Sequence, residues 1–283
     1  LARFDRVTLD KWLDSTVELS GRGPGKPVGI ALKGGSVDLR HVPGADQRGS
    51  GKGGAKPGPL RLDLDRLIVT SNIALTNFSG DFSLAPGFSG DFTAQMNGGP
   101  EVTGTAVPNP NGTAVRLRAR DGGAVFAAAG LFSSARGGAM ELTLTPRSTE
   151  GHYDGVLAVK NIRVRNTSVL AELLNAISVV GALEQLNGQG LVFQDVQGEF
   201  LLTPRNVDLR RGSAIGASLG VSMAGLYDSA AGRLAMQGVI SPIYLLNGVG
   251  AVLTKRGEGL FGFNYSLGGT ADSPEVSVNP LSI

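Results

Sequence analysis

The chain has 283 residues, with 43 glycines, 14 prolines, no cysteine and a formal net charge of +2. Aromatics are only 6% and the basic residues are scattered among acids, which argues against nucleic-acid binding. The missing cysteine excludes disulfides, thiolate metal sites and thiol nucleophiles.

High glycine beside 41% apolar residues indicates many short strands joined by tight turns. The length suits one large or two ordinary domains. Leu1 stands where a methionine would begin a nascent chain, and no charged n-region with an apolar h-region follows it. Targeting information is therefore expected upstream. The most apolar segment, Val169 to Leu186, is interrupted by Glu172, Asn175 and Glu184. A bilayer-spanning helix takes roughly 20 mostly apolar residues, so no such helix is expected.

In chain order, residues 1–42 read as N-terminal strands of the same sheet as the rest, and 43–59 as a flexible Gly-, Pro- and Lys-rich loop. Residues 60–283 read as a β domain. Leu60, Leu62 and Leu64 alternate with Arg61, Asp63 and Asp65, which predicts a strand with one apolar and one wetted face. The same phase recurs at Val115, Leu117 and Ala119, at Met140, Leu142 and Leu144, and at Ile162 and Val164. Turn signals separate these runs: Asn77-Phe-Ser-Gly80, Pro86-Gly87, Asn97-Gly-Gly-Pro100, Asn109-Pro-Asn-Gly112, Asp121-Gly-Gly123 and Arg136-Gly-Gly138. Ser79-Gly-Asp-Phe82 is echoed by Ser89-Gly-Asp-Phe92, which sets two consecutive strands in similar register.

Two segments break the β pattern. Residues 168–186 carry apolar side chains at helical spacing, with Asn166, Thr167 or Ser168 as the cap and Gly181 as a bend or break. A second helix is predicted over 242–254, with Ser241 as its cap and Pro242 as its first residue.

No catalytic constellation emerges. Gly49-Ser-Gly-Lys-Gly-Gly54 fits a dinucleotide-binding pattern but lacks the strand before it and the helix after it. His41 and His152 are far apart in sequence and read as surface residues rather than as metal ligands or bases. Ser218 lies in Gly216-Ala-Ser-Leu-Gly220, where alternation through Leu219, Val221 and Met223 indicates a strand, not a nucleophile elbow. Asp63 with Asp65, and Glu199 with Asp208, read as solvated-face carboxylates. The chain is expected to be non-enzymatic, with no catalytic residue, no metal site and no cofactor.

Several motifs, in order, carry a family resemblance: Leu170-Ala-Glu-Leu-Leu-Asn175, Gly188-Gln-Gly-Leu-Val-Phe193, Gln194-Asp-Val-Gln-Gly-Glu-Phe200, Asn206-Val-Asp-Leu-Arg210 and Ser218-Leu-Gly-Val-Ser-Met-Ala-Gly225. They lead to Val239-Ile-Ser-Pro-Ile-Tyr-Leu-Leu-Asn247 and to Gly257-Glu-Gly-Leu-Phe-Gly-Phe-Asn-Tyr-Ser-Leu-Gly-Gly-Thr-Ala-Asp-Ser-Pro274. In this run the chain resembles the C-terminal region of the AsmA-like superfamily, specifically its long YhdP-like members from Gram-negative bacteria. Phe4-Asp-Arg-Val-Thr-Leu-Asp-Lys-Trp-Leu13 and Gly34-Gly-Ser-Val-Asp-Leu-Arg40 match more loosely.

The resemblance implies a periplasmic protein, tethered to the inner membrane by an N-terminal anchor absent from this chain. It implies non-enzymatic phospholipid transport towards the outer membrane, with envelope proteins as further partners. The C-terminal helices either contact the outer membrane or cap the end of the lipid path.

The expected fold is mainly β: a long curved antiparallel sheet or half-barrel with an apolar groove, plus two short helical inserts in the C-terminal half. Candidate groove positions for phospholipid acyl chains are Leu142, Leu144, Val221, Met223, Leu234, Met236, Phe261, Phe263 and Tyr265. Strand phase does not separate lipid lining from ordinary core packing at these residues. The alternative reading is a structural or assembly scaffold that binds protein partners through its edge strands.

Overall fold

The computed structural model describes residues 1–42, 58–85, 87–177, 180–242, 262–270 and 273–279. The protein is mainly β, with seventeen strands and three short helices among the described residues, largely antiparallel and open. No described helix is long and apolar enough to cross a membrane. The chain divides into two compact units, Leu1–Ala119 with Ala128–Gly130, and Arg120–Ala127 with Leu131–Ile283.

The first unit contains β1 (Ala2–Leu9), β2 (Leu13–Ser20), β3 (Gly29–Asp38), β4 (Pro59–Ile68), β5 (Ala74–Ser83), β6 (Ser89–Met96), β7 (Glu101–Asn109) and β8 (Gly112–Ala119). Each pairs with the next, antiparallel except for β3 and β4, which run parallel. A parallel pair needs a crossover of about a dozen residues or more. The Gly- and Lys-rich stretch between Asp38 and Pro59 supplies that length; its residues 43–57 lie outside the described ones. The dinucleotide-like pattern at 49–54 falls there too. Asn77-Phe-Ser-Gly80 is not a turn but the middle of β5, where Asn77 adopts φ 48° at a bulge between Thr76 and Ser79.

The Ser-Gly-Asp-Phe echo has a structural meaning. Its two copies pair with each other about Asp81↔Asp91, so Gly80 faces Phe92 and Gly90 faces Phe82. Each phenylalanine covers backbone that the other copy's glycine leaves open. The rings of Phe78 and Phe92 lie 5.0 Å apart and those of Phe82 and Phe88 4.6 Å apart. With Leu64, Ala94, Met96 and Val102 they bury the apolar face of this unit.

The second unit opens with α1 (Gly122–Ala128) and β9 (Ala135–Arg136). It continues through β10 (Ala139–Pro146), β11 (Tyr153–Val164), α2 (Ser168–Ala176), α3 (Val180–Asn187), β12 (Leu191–Leu202), β13 (Asn206–Gly216), β14 (Leu219–Asp228), β15 (Arg233–Pro242), β16 (Phe263–Gly269) and β17 (Pro274–Asn279). Strands β10 to β17 form one antiparallel meander, and β9 adds to β11 beyond the start of β10.

Helix α1 replaces the turn expected at Asp121-Gly-Gly123. Asp121 Oδ1 accepts a hydrogen bond from the Ala124 N–H at 2.8 Å, the geometry of an N-cap. Gly123 is required because a side chain there would collide with the Arg136 backbone. The predicted helix over 168–186 is two helices, and the break precedes Gly181, which lies inside α3. Ile177 is the C-cap of α2, and α3 starts at Val180.

The helix predicted from Ser241 and Pro242 does not start there. Both residues end β15, paired as Gly220↔Ser241 and Leu219↔Pro242, because the Met236, Gly238, Ile240 phase runs on to Pro242. A proline is tolerated at such a strand end. Residues 243–254 lie outside the described ones.

Candidate functional site: an apolar sheet face in the second unit

Residues directly opposite across antiparallel strands share a face, so the pairing register fixes which side chains lie together. In the second unit one cross-strand row runs Leu142, Leu157, Gly198, Gly212, Met223, Gly238, Tyr265, Val278. The row beside it runs Leu144, Gly155, Phe200, Leu209, Gly225, Met236, Leu267, Val276. A third runs Met140, Val159, Val196, Ala214, Val221, Ile240, Phe263. A fourth, at the opposite margin, holds Tyr153, Leu202, Val207, Tyr227 and Leu234. These four rows make one apolar face that crosses the meander.

Eight of the nine sequence-predicted groove residues lie on this face: Leu142, Leu144, Val221, Met223, Leu234, Met236, Phe263 and Tyr265. Phe261 lies outside the described residues. The prediction missed row-mates Leu157, Phe200, Leu209, Tyr227 and Leu267. Alternation in Tyr153–Val159 and Val196–Leu202 was the available signal, diluted by Gly155 and Gly198 at apolar-phase positions.

Burial along the face is graded. At one end Ile162, Phe193, Leu219, Val159 and Ile240 are buried, and so are Leu173, Leu174, Ile177, Ala182 and Leu186 of α2 and α3. Helix α3 packs on β12 and α2 on β17, so the helix pair covers this end with its apolar side. Its other side presents Glu172, Asn175, Glu184, Gln185 and Asn187 to solvent. Away from the helices Leu142, Leu144, Leu157, Phe200, Leu209, Met223, Tyr227, Leu234 and Met236 are only half-buried.

Tyr265 is the polar exception. It is 5% exposed, and its hydroxyl passes over Gly238 to donate to the Ser222 carbonyl at 2.9 Å. Burial pushes its phenol pKa up to about 12.

The opposite face carries ion pairs among exposed apolar side chains, Val156, Ile215 and Leu226. Lys160 meets Asp195 at 2.7 Å, Arg211 meets Glu199 at 2.6 Å, and Asp154 lies between Arg147 at 2.8 Å and Arg210 at 3.3 Å. The Arg147 hydrogen bond is the main reason the Asp154 carboxyl is held below its ordinary range. A hollow of about 1010 Å3 opens on this polar face. Its walls include Val156, Ala158, Gln197, Glu199, Ser213, Ala224, Gln237 and Asn264, whereas Val196, Phe200, Val221 and Met236 of the apolar face take no part. Met223 and Tyr265 belong to its floor between flanking residues of the opposite phase.

Most residues weighed for other chemistry are occupied by local contacts. His41 Nδ1 lies 3.1 Å from Asp38, and His152 Nδ1 lies 2.9 Å from the Glu150 carbonyl. Ser218 bonds Gln185 in the turn before β14. Asp63 accepts from Arg61 and Ser79, and Asp65 accepts from the Gly35 N–H. Among the described residues no group of three His, Cys, Asp or Glu side chains could hold a metal ion.

No family model, no curated protein and no solved structure matches this chain.

Proposed function

We propose that the apolar face of the second unit holds phospholipid acyl chains, and that the protein is a non-enzymatic lipid-conducting element of the Gram-negative cell envelope. Acyl chains would lie along this face, with head groups left at its open side. The observation that carries the reading is the graded burial. Rows far from α2 and α3 leave large apolar side chains only half-buried across the strands, where a finished core would bury them. Each methylene placed against such a surface contributes about 0.8 kcal/mol, so affinity requires area and no special residue. The AsmA-like resemblance fits a periplasmic location and transport between inner and outer membranes.

Native mass spectrometry of gently purified protein, with lipid extraction alongside, tests this. Stoichiometric phospholipid released on denaturation is the expected result. A clean apo mass, where a known lipid carrier retains its cargo, would refute it.

The hollow on the polar face favours a second reading, a scaffold that binds an envelope protein. Its walls mix apolar side chains, Val156, Ala158 and Val239, with hydrogen-bonding ones, Gln197, Ser213 and Gln237, as protein interfaces do. Co-purification of a stoichiometric protein with no lipid would support that reading.

A further inference from the structure

Leu131 and Phe132, just after α1, are 51% and 59% exposed, and the edge of the Phe132 ring meets Phe126 at a centroid distance of 6.2 Å. No charged residue occurs from Gly122 to Ala135. Two adjacent large apolar side chains presented in this way form an apolar tip that is uncovered among the described residues.

Beside the tip, β9 pairs with β11 so that Arg136 lies directly opposite Arg163. Like charges in that position repel and destabilise the pair. Arg165 joins them, since its backbone N–H donates to the Ser134 carbonyl and its guanidinium, like that of Arg163, donates to the Gln189 carbonyl. Arg136 reaches the Ser133 carbonyl at 2.6 Å, which ties its guanidinium to the backbone of the residue that follows Phe132. All three arginines are exposed, and none is ion-paired with a described carboxylate. Elsewhere on the second unit Arg147, Lys160, Arg210 and Arg211 each have an acidic partner.

We propose that this tip and its arginines form a docking surface for an anionic bilayer. Leu131 and Phe132 enter the headgroup–acyl boundary while Arg136, Arg163 and Arg165 face lipid phosphates. The charge complementarity favours an anionic surface, and the paired apolar side chains favour a bilayer over a soluble polyanion. The contact is peripheral and salt-sensitive. It stands apart from the acyl-binding face and does not depend on it.

The test is co-sedimentation of the chain with vesicles of phosphatidylglycerol and, separately, of phosphatidylcholine. Binding is expected to phosphatidylglycerol only, weakening as salt rises. Arg136→Gln and Arg163→Gln should each lower partitioning roughly fivefold. Joint replacement Leu131→Ser with Phe132→Ser should lower it by about tenfold or more. These side chains are exposed, so thermal melts should match the parent. Absence of binding to phosphatidylglycerol, or variants that bind as well as the parent, would overturn the proposal. So would salt-sensitive binding indifferent to the two serines, which would make the surface a polyanion site. Cargo retention in mass spectrometry reads the acyl-binding proposal separately, so the two can fail independently.

Discussion

Met223→Asp separates a lipid-lining face from an ordinary core most sharply. Met223 is half-buried and sits between Gly212 and Gly238 in its cross-strand row, glycines that are covered by the Leu209 side chain and the Tyr265 hydroxyl. If water reaches the partly exposed Met223 side chain in the empty protein, an aspartate there stays solvated and costs within about 1 kcal/mol. If the row is dry core, an unpaired buried carboxylate costs roughly 3–5 kcal/mol. At about 2–4 °C per kcal/mol for a unit of this size, the core case lowers Tm by roughly 10 °C and the lining case by only a few degrees. Ile240→Asp is the internal control, because Ile240 lies on the same face, fully buried near the helix-covered end, and should show the larger loss.

Lipid retention should move in the opposite sense. Displacing three or four methylenes from the surface around Met223 forfeits about 3 kcal/mol, roughly a hundredfold in affinity. The assay pairs a thermal melt with native mass spectrometry on the same preparations. A Met223→Asp protein that melts as low as Ile240→Asp, or that keeps its lipid, would refute the reasoning.

Two further outcomes follow from the geometry. Tyr265 has a folded-state pKa raised above that of the unfolded chain, so its contribution is fully present below pH 10 and is lost as pH rises through about 12. Tyr265→Phe should remove that alkaline dependence and cost about 1 kcal/mol at neutral pH from the lost bond to Ser222, read by denaturant melts across pH; an unchanged alkaline limb would count against the assignment. Gly104→Ala should destabilise the first unit by about 1–3 kcal/mol, because the added methyl occupies the space of the Phe92 ring. A neutral result in urea melts would mean that the ring is not held over Gly104.

Much of the strand framework was legible because side chains in a strand alternate with a period of two. Leu60 to Asp65 and Met140 to Thr145 could therefore be placed on faces without coordinates. The Ser-Gly-Asp-Phe echo was visible as well, although its pairing of glycine against phenylalanine was not. Other features escaped for identifiable reasons. Helix α1 hid behind Gly122 and Gly123, whose turn propensity outweighed the capping signal of Asp121. Strand β15 continued through Ser241 and Pro242 because pairing with β14 overrode a local helix-start pattern. The parallel register of β3 and β4 depends on contacts across a long connection, which periodicity does not report.

Alternation along each strand assigns phase, and with it membership of the apolar face: eight predicted residues sit there because a strand has only two sides. Coverage came from tertiary packing. It placed α2 and α3 over one end, left Met223 and Leu144 half-buried, and set Arg136 opposite Arg163. Those arrangements arise from packing between segments distant along the chain, where hydrophobic area is buried by whichever element can reach it, and no local pattern encodes that choice.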